Sequence, residues 1–167
     1  MLTSPGVIMN DEMNDFSIPG ASNEFGFVPS PINYIRPNKR PLSSITPIIV
    51  EYPNGTLYIS IGAAGGSRII TSTVQALWHV LDRNKTLTEA LNEPRIHDQL
   101  MPDHTSIEKT DKRAFDGSVV ESMKERKHNI KFTGGHQSAV QGVRVLPGGG
   151  FEAACEPRQL DSGGLVI

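Results

Sequence analysis

One cysteine, Cys155, stands in a chain of 167 residues, which excludes an internal disulfide and any multi-cysteine metal site. No histidine lies near it in the sequence, so the thiol is expected to be buried and inert. The histidines, at 79, 97, 104, 128 and 136, lack the spacing of zinc ligands. A marked excess of charge of one sign is lacking as well. A formal net charge of -2 gives no electrostatic case for nucleic acid or an anionic membrane. No apolar run approaches transmembrane length, and Met1 to Pro5 lack the charged start and apolar stretch of a secretory leader. Also missing are the Gly-x-Ser-x-Gly elbow of α/β-type serine hydrolases, a P-loop ending, a dinucleotide-binding glycine pattern and any internal repeat.

What is present suits one folded domain: 37% hydrophobic and 20% charged residues are ordinary for a chain that builds a core. Residues 1–41 carry little periodicity and recurrent proline, and read as a long extended loop leading into a sheet-and-helix body over 42–167. Within the loop, Glu12 and Asp15 are three apart and share a face in a helical turn. Such a pair can hold an ammonium group, or it can be a solvated acidic turn.

The body opens with Arg40-Pro41-Leu42-Ser43-Ser44, two adjacent hydroxyls after a rigid proline. Strands are expected over 45–52 and 57–61, joined as an antiparallel hairpin by Pro53-Asn54-Gly55-Thr56. Gly62-Ala63-Ala64-Gly65-Gly66-Ser67 follows and bends into a helix whose stripe Ile70, Val74, Leu77, Trp78 and Leu81 is expected to face the core. The N–H groups at that helix start can serve an anion, or the glycines can simply allow tight packing. Thr86-Leu87-Thr88-Glu89 fits a capping box on a short helix ending near Pro94. Residues 95–99 read as a polar connector, 105–109 as a strand and 115–127 as a third helix. Two strands, 138–146 and 151–155, meet at Pro147-Gly148-Gly149-Gly150, and the remainder reads as loop. His79 is expected to be structural and His136 a turn residue. Asn54-Gly55-Thr56 and Asn84-Lys85-Thr86 have the form of glycosylation acceptors and favour a secretory-pathway setting: cell surface, secreted or vacuolar.

Several of these stretches, taken in order, resemble one family. Asn10-Asp11-Glu12-Met13-Asn14-Asp15-Phe16-Ser17, Arg40 to Ser44, Gly62 to Ser67, Glu93-Pro94-Arg95 and Glu156-Pro157-Arg158 are similar to the small subunit of gamma-glutamyltranspeptidase, also called glutathione hydrolase. Asn23-Glu24-Phe25-Gly26 and Pro29-Ser30-Pro31 share the likeness, which runs from about Ser4 to the C-terminus.

The resemblance implies an α+β fold, part of a four-layer αββα sandwich of the N-terminal-nucleophile hydrolase type with mostly antiparallel sheets. It implies no cofactor. Its substrates would be glutathione and other gamma-glutamyl compounds, with water, amino acids or dipeptides as acceptors. Its protein partner would be the large subunit cut from the same precursor. On this likeness Glu12 and Asp15 bind the substrate α-ammonium, Ser43 and Ser44 hydrogen-bond its α-carboxylate, and the N–H groups of Gly65 and Gly66 form the oxyanion hole. The family's nucleophile is the N-terminal threonine of the small subunit, its own amine acting as base. That threonine stands upstream of the Asn-Asp-Glu-Met region, and neither Thr3 nor Thr46 sits in its motif. This chain by itself is therefore expected to be inactive and poorly soluble. The alternatives are a non-catalytic binding module for gamma-glutamyl compounds and a fragment that docks on another subunit.

Overall fold

A computed structural model describes residues 6–135 and 138–166. Thr3 and His136 lie outside the described residues. Contacts divide the chain into two units, Met1–Ser43 and Ser44–Ile167.

The first unit has almost no regular structure, and side-chain amides satisfy its backbone instead. Short 3-10 turns form at Glu12–Asp15 and Pro31–Asn33. Asn33 ties them together: its Nδ2 donates to the Asp15 carbonyl at 2.7 Å and its Oδ1 accepts from the Leu42 N–H at 2.9 Å. The Ser17 N–H donates to the Asn33 carbonyl at 3.0 Å. Asn23 closes a second loop, its Oδ1 accepting from the N–H groups of Phe25 and Phe27. Buried backbone groups must be paired somewhere, and asparagine does in this loop what a ladder does in a sheet.

In the second unit, β1 (Ile48–Glu51) and β2 (Leu57–Ala64) form the expected hairpin. Gly55 takes the positive φ of 82° that the turn needs. β6 (Ala139–Val145) lies antiparallel to β2, and β7 (Phe151–Ala154) antiparallel to β6, giving the order β1-β2-β6-β7. Alternation along β2 sends Ile59 and Ile61 to one face. There they meet Ala76 and Val80 of α1 (Arg68–Leu81) and Leu87, Ala90 and Leu91 of α2 (Leu87–Asn92), with Val140 and Ala154 completing the core. The capping box at the start of α2 is present in full: Thr86 Oγ1 accepts from the Glu89 N–H and Glu89 accepts from the Thr86 N–H.

A second sheet joins β3 (Ile96–His97), β4 (Thr105–Glu108) and β5 (Ile130–Thr133) in that order. β3 pairs antiparallel and β5 parallel with β4. α3 (Gly117–Glu125) starts on Asp116, whose carboxylate accepts from the Ser118 N–H at 2.8 Å.

Three expectations are corrected and one strand is added. The 95–99 segment is not a plain connector: it carries β3, and Arg95 and His97 are buried. β5 had not been anticipated. Cys155 is half-buried rather than buried. Most important, the apolar stripe of α1 mostly turns away from the core, with Leu77 alone of its five residues packed against it. Ile70, Val74, Trp78 and Leu81 are each more than 40% exposed, while Ile69, Ser72, Thr73, Ala76 and Val80 are buried. Helical spacing groups residues on a face but does not say which face the sheet covers. Here the covered side mixes Ile69 and Val80 with smaller residues.

Candidate functional site

The acidic turn is built by local geometry. Asp11 takes φ 57° and bends the chain, Asn10 Oδ1 accepts from the Glu12 N–H at 3.1 Å, and Asn14 Nδ2 donates to Asp11 at 2.9 Å. A 3-10 turn has three residues per revolution, so Glu12 and Asp15 stand one above the other, closer in register than in an α-helix. Glu12 is exposed and Asp15 half-buried. Among the described residues neither carboxylate has a hydrogen bond or ion pair, which leaves both available to a cation. A cleft of about 210 Å³ in this unit is lined by Asn14, Phe16, Asn23 and Glu24 but by neither member of the pair.

Ser43 closes the first unit and Ser44 opens the second. Ser43 is exposed and Ser44 half-buried, and the Ser44 carbonyl accepts from Thr46 Oγ1 at 2.8 Å. Thr46 is thereby committed to the backbone.

Gly65 (φ 133°) and Gly66 (φ 62°) turn the end of β2 into α1. Both lie in backbone regions that disfavour a side chain. A Cβ on Gly65 would come within 2.9 Å of Ser138 Cα and 3.0 Å of its Oγ. The Ser138 hydroxyl donates to the Ala64 carbonyl at 2.6 Å, fixing the bend from outside. Of the two readings open from sequence, tight packing is met here, and it leaves room for the other. Glycine is needed for space, and among the described residues the Gly65 and Gly66 N–H groups have no backbone acceptor. They precede the start of α1, where unpaired N–H groups and the helix dipole favour negative charge. A cleft of about 290 Å³ opens beside Gly65, bounded by Ala64, Ser138, Ala139 and Gln159.

Behind the bend lies a buried network that the sequence signalled only as two Glu-Pro-Arg triplets. Arg95 Nη1 pairs with Glu156 at 2.8 Å, and Arg158 pairs with Glu156 at 2.9 Å and Glu108 at 2.6 Å. All four side chains are buried, two cations against two anions. Arg158 also donates to the carbonyls of Leu91 and Glu93, and Arg95 to that of Ser138. The Arg95 N–H donates to Glu108, and the Val140 N–H to Glu156. Both sheets, α2 and the C-terminal segment thus meet in one cluster. Burial alone would raise the Glu156 carboxyl, but Arg95, the Val140 N–H and Arg158 outweigh it and hold it below its ordinary value. Burial likewise would lower Arg158, yet Glu108 and Glu156 raise it. Arg95 is lowered by burial and then by Arg158, from a starting value so high that it stays charged.

His79 is half-buried against Trp78, and burial pushes its imidazole down. Among the described residues no cluster of three His, Cys, Asp or Glu is placed to hold a metal.

Comparison with known proteins places the chain in one family. Residues 1–165 match the model of gamma-glutamyltranspeptidase. A glutathione hydrolase proenzyme from Arthroderma benhamiae is 50% identical over 97% of this chain, which spans 27% of that protein's length. A mutant gamma-glutamyltranspeptidase from Helicobacter pylori superposes with a TM-score of 0.85 at 36% identity, covering 95% of this chain and 85% of that one. The Pseudomonas nitroreducens enzyme complexed with L-DON superposes at 0.84 with 35% identity, covering all of this chain and 86% of that one. The chain belongs to the gamma-glutamyltranspeptidase family, and its α+β fold with mostly antiparallel sheets is that of the N-terminal-nucleophile hydrolases.

Proposed function

We propose that the protein to which this chain contributes cleaves the gamma-glutamyl amide of glutathione and related compounds and passes the acyl group to water, an amino acid or a dipeptide. The observation that carries this reading is the glycine bend: two successive positive-φ glycines, their N–H groups without backbone acceptors among the described residues, at the mouth of a fourteen-residue helix. Donors held in that way stabilise an oxyanion more than a ground-state carbonyl, which is what lowers a barrier.

In this reading Glu12 and Asp15 take the substrate's α-ammonium, and Ser43 and Ser44 donate to its α-carboxylate. Gly65 and Gly66 receive the negative charge that develops on the γ-carbonyl oxygen as the threonine hydroxyl attacks. The C–N amide bond then breaks, the amine leaves with a proton, and an acyl-enzyme remains for the acceptor. A large subunit of the same precursor is the partner in this reading. Support for that partner comes from the exposed α1 stripe and from Ile49, Val143 and Phe151, which share the sheet face turned away from α1 and α2.

The experiment compares turnover of a gamma-glutamyl anilide with that of the glutaryl anilide, which lacks the α-ammonium, by the protein as its source makes it. The expected result is turnover of the first and little of the second, with Asp15→Asn and Glu12→Gln raising KM for the first. Equal turnover of both anilides, or of neither, contradicts the proposal.

A further inference from the structure

The 95–99 segment runs beside α1, and three helix residues four apart meet it in turn. Ser67, Thr71 and Gln75 lie in one line along the helix. Gln75 pairs with β3 as a strand would: its Nε2 donates to the Ile96 carbonyl at 2.7 Å and its Oε1 accepts from the Ile96 N–H at 2.9 Å. Thr71 Oγ1 lies 2.8 Å from His97 Nδ1. The Ser67 hydroxyl donates to Gln99 Oε1 at 2.7 Å, and His97 Nε2 lies 2.8 Å from the same oxygen.

The chemistry of the groups orders this chain of contacts. An amide oxygen only accepts, so His97 Nε2 carries the hydrogen; in the neutral ring Nδ1 is then an acceptor facing the Thr71 hydroxyl, which also lies 3.2 Å from the Arg68 carbonyl. The ring is 6% exposed, and burial pushes its pKa down, which favours the neutral form. Gln99 Nε2 donates to the Met101 carbonyl at 2.7 Å, so the amide cannot flip without losing partners. Its oxygen is locked toward Ser67, the residue that directly follows Gly66.

We infer that Gln99, oriented by His97, is a positioning residue for the Gly65–Gly66 bend. It holds the bend through Ser67 from the helix side, as Ser138 holds it through Ala64 from the strand side. The Ser67 hydroxyl is available to Gln99 because it makes no capping bond to its own helix. Rotation of the bend would turn both glycine N–H groups away from a developing oxyanion. The inference rests on the oxyanion role proposed above for these glycines.

The test uses Gln99→Leu, Ser67→Ala and Gln99→Glu in the protein as its source makes it, with two readouts. The first is steady-state turnover of the gamma-glutamyl anilide. Gln99→Leu and Ser67→Ala are expected to lower kcat by about 10–100-fold while KM stays within about threefold, because small misplacements act on the transition state. Gln99→Glu keeps an acceptor for both Ser67 and His97 but sets its second oxygen against the Met101 carbonyl, so it is expected to retain clearly more kcat than Gln99→Leu without reaching wild type. The second readout is amide hydrogen exchange of the peptide spanning 62–69, expected to speed up in Gln99→Leu and Ser67→Ala and less in Gln99→Glu. Unchanged kcat in Ser67→Ala, equal losses in kcat for Gln99→Leu and Gln99→Glu, or unchanged exchange of that peptide overturns the inference. A wild-type protein without turnover would instead sink the functional reading, while the exchange data would still decide whether Gln99 holds the bend.

Discussion

Glu156→Gln changes almost nothing in shape and removes one charge from the buried cluster. In the native protein Glu156 accepts from Arg95 Nη1 at 2.8 Å, Arg158 Nη1 at 2.9 Å, the Val140 N–H at 2.9 Å and the Arg158 N–H at 3.1 Å. A glutamine keeps one oxygen and places an NH2 where the other stood. In either orientation that NH2 faces donors: Arg95 and Val140, or the two donors of Arg158. Two cations are left with one anion, in surroundings where the four side chains are nearly inaccessible. Removing one member of a buried pair costs about 3–5 kcal/mol, against a total stability of roughly 5–15 kcal/mol. Replacing Arg95 by Met in the same molecule removes the stranded charge and is expected to recover part of the loss, so the two changes do not add. Urea unfolding followed by circular dichroism measures both variants, and amide exchange at Val140 reads the cluster locally. A loss below about 1 kcal/mol in Glu156→Gln, or additive losses in the double variant, would refute the assignment of this cluster as the clamp between the two sheets.

Gly65→Ala forces a Cβ to 2.9 Å from Ser138 Cα at φ 133°, a strain of about 1–3 kcal/mol. It is also expected to lower kcat by about 10²–10³-fold. Gly117→Ala, which meets open space, serves as the control, and equal kcat values for the two would contradict the role of the bend. Burial lowers His97 and His79 below the ordinary imidazole value of 6.5, so the unfolded chain binds protons that the folded one refuses. Stability is complete above that pH and falls below it, and the depressed Glu156 carboxyl adds a further loss beneath its ordinary 4.5. A melting temperature that rises from about pH 7 to about pH 5 would contradict the sign. Thr86→Ala removes the acceptor for the Glu89 N–H and is expected to cost about 1 kcal/mol, measured by thermal unfolding against wild type.

Local signals in the sequence located the β1–β2 hairpin, the capping box and the glycine bend, because each is fixed by residues adjacent in the chain. The acidic pair was likewise visible as a three-residue spacing, though the 3-10 turn that aligns it depends on Asp11 and on Asn33, far away in sequence. Burial of Arg95 and His97 was not visible, since their partners Glu156 and Thr71 come from other elements. β5 was missed because Ile130 to Thr133 is short and takes its order from parallel pairing with β4. The stripe on α1 misled for a different reason. Periodicity identified two faces, and the buried one mixes Ile69 and Val80 with the smaller Ser72, Thr73 and Ala76.

The most direct test is the crystal structure of the protein, as its source makes it, with L-glutamate bound. The account predicts the α-ammonium on Asp15 and Glu12, the α-carboxylate on the hydroxyls of Ser43 and Ser44, and a γ-carboxylate oxygen facing the N–H groups of Gly65 and Gly66. Glutamate bound away from the glycine bend, or with its ammonium turned from the acidic pair, would contradict it.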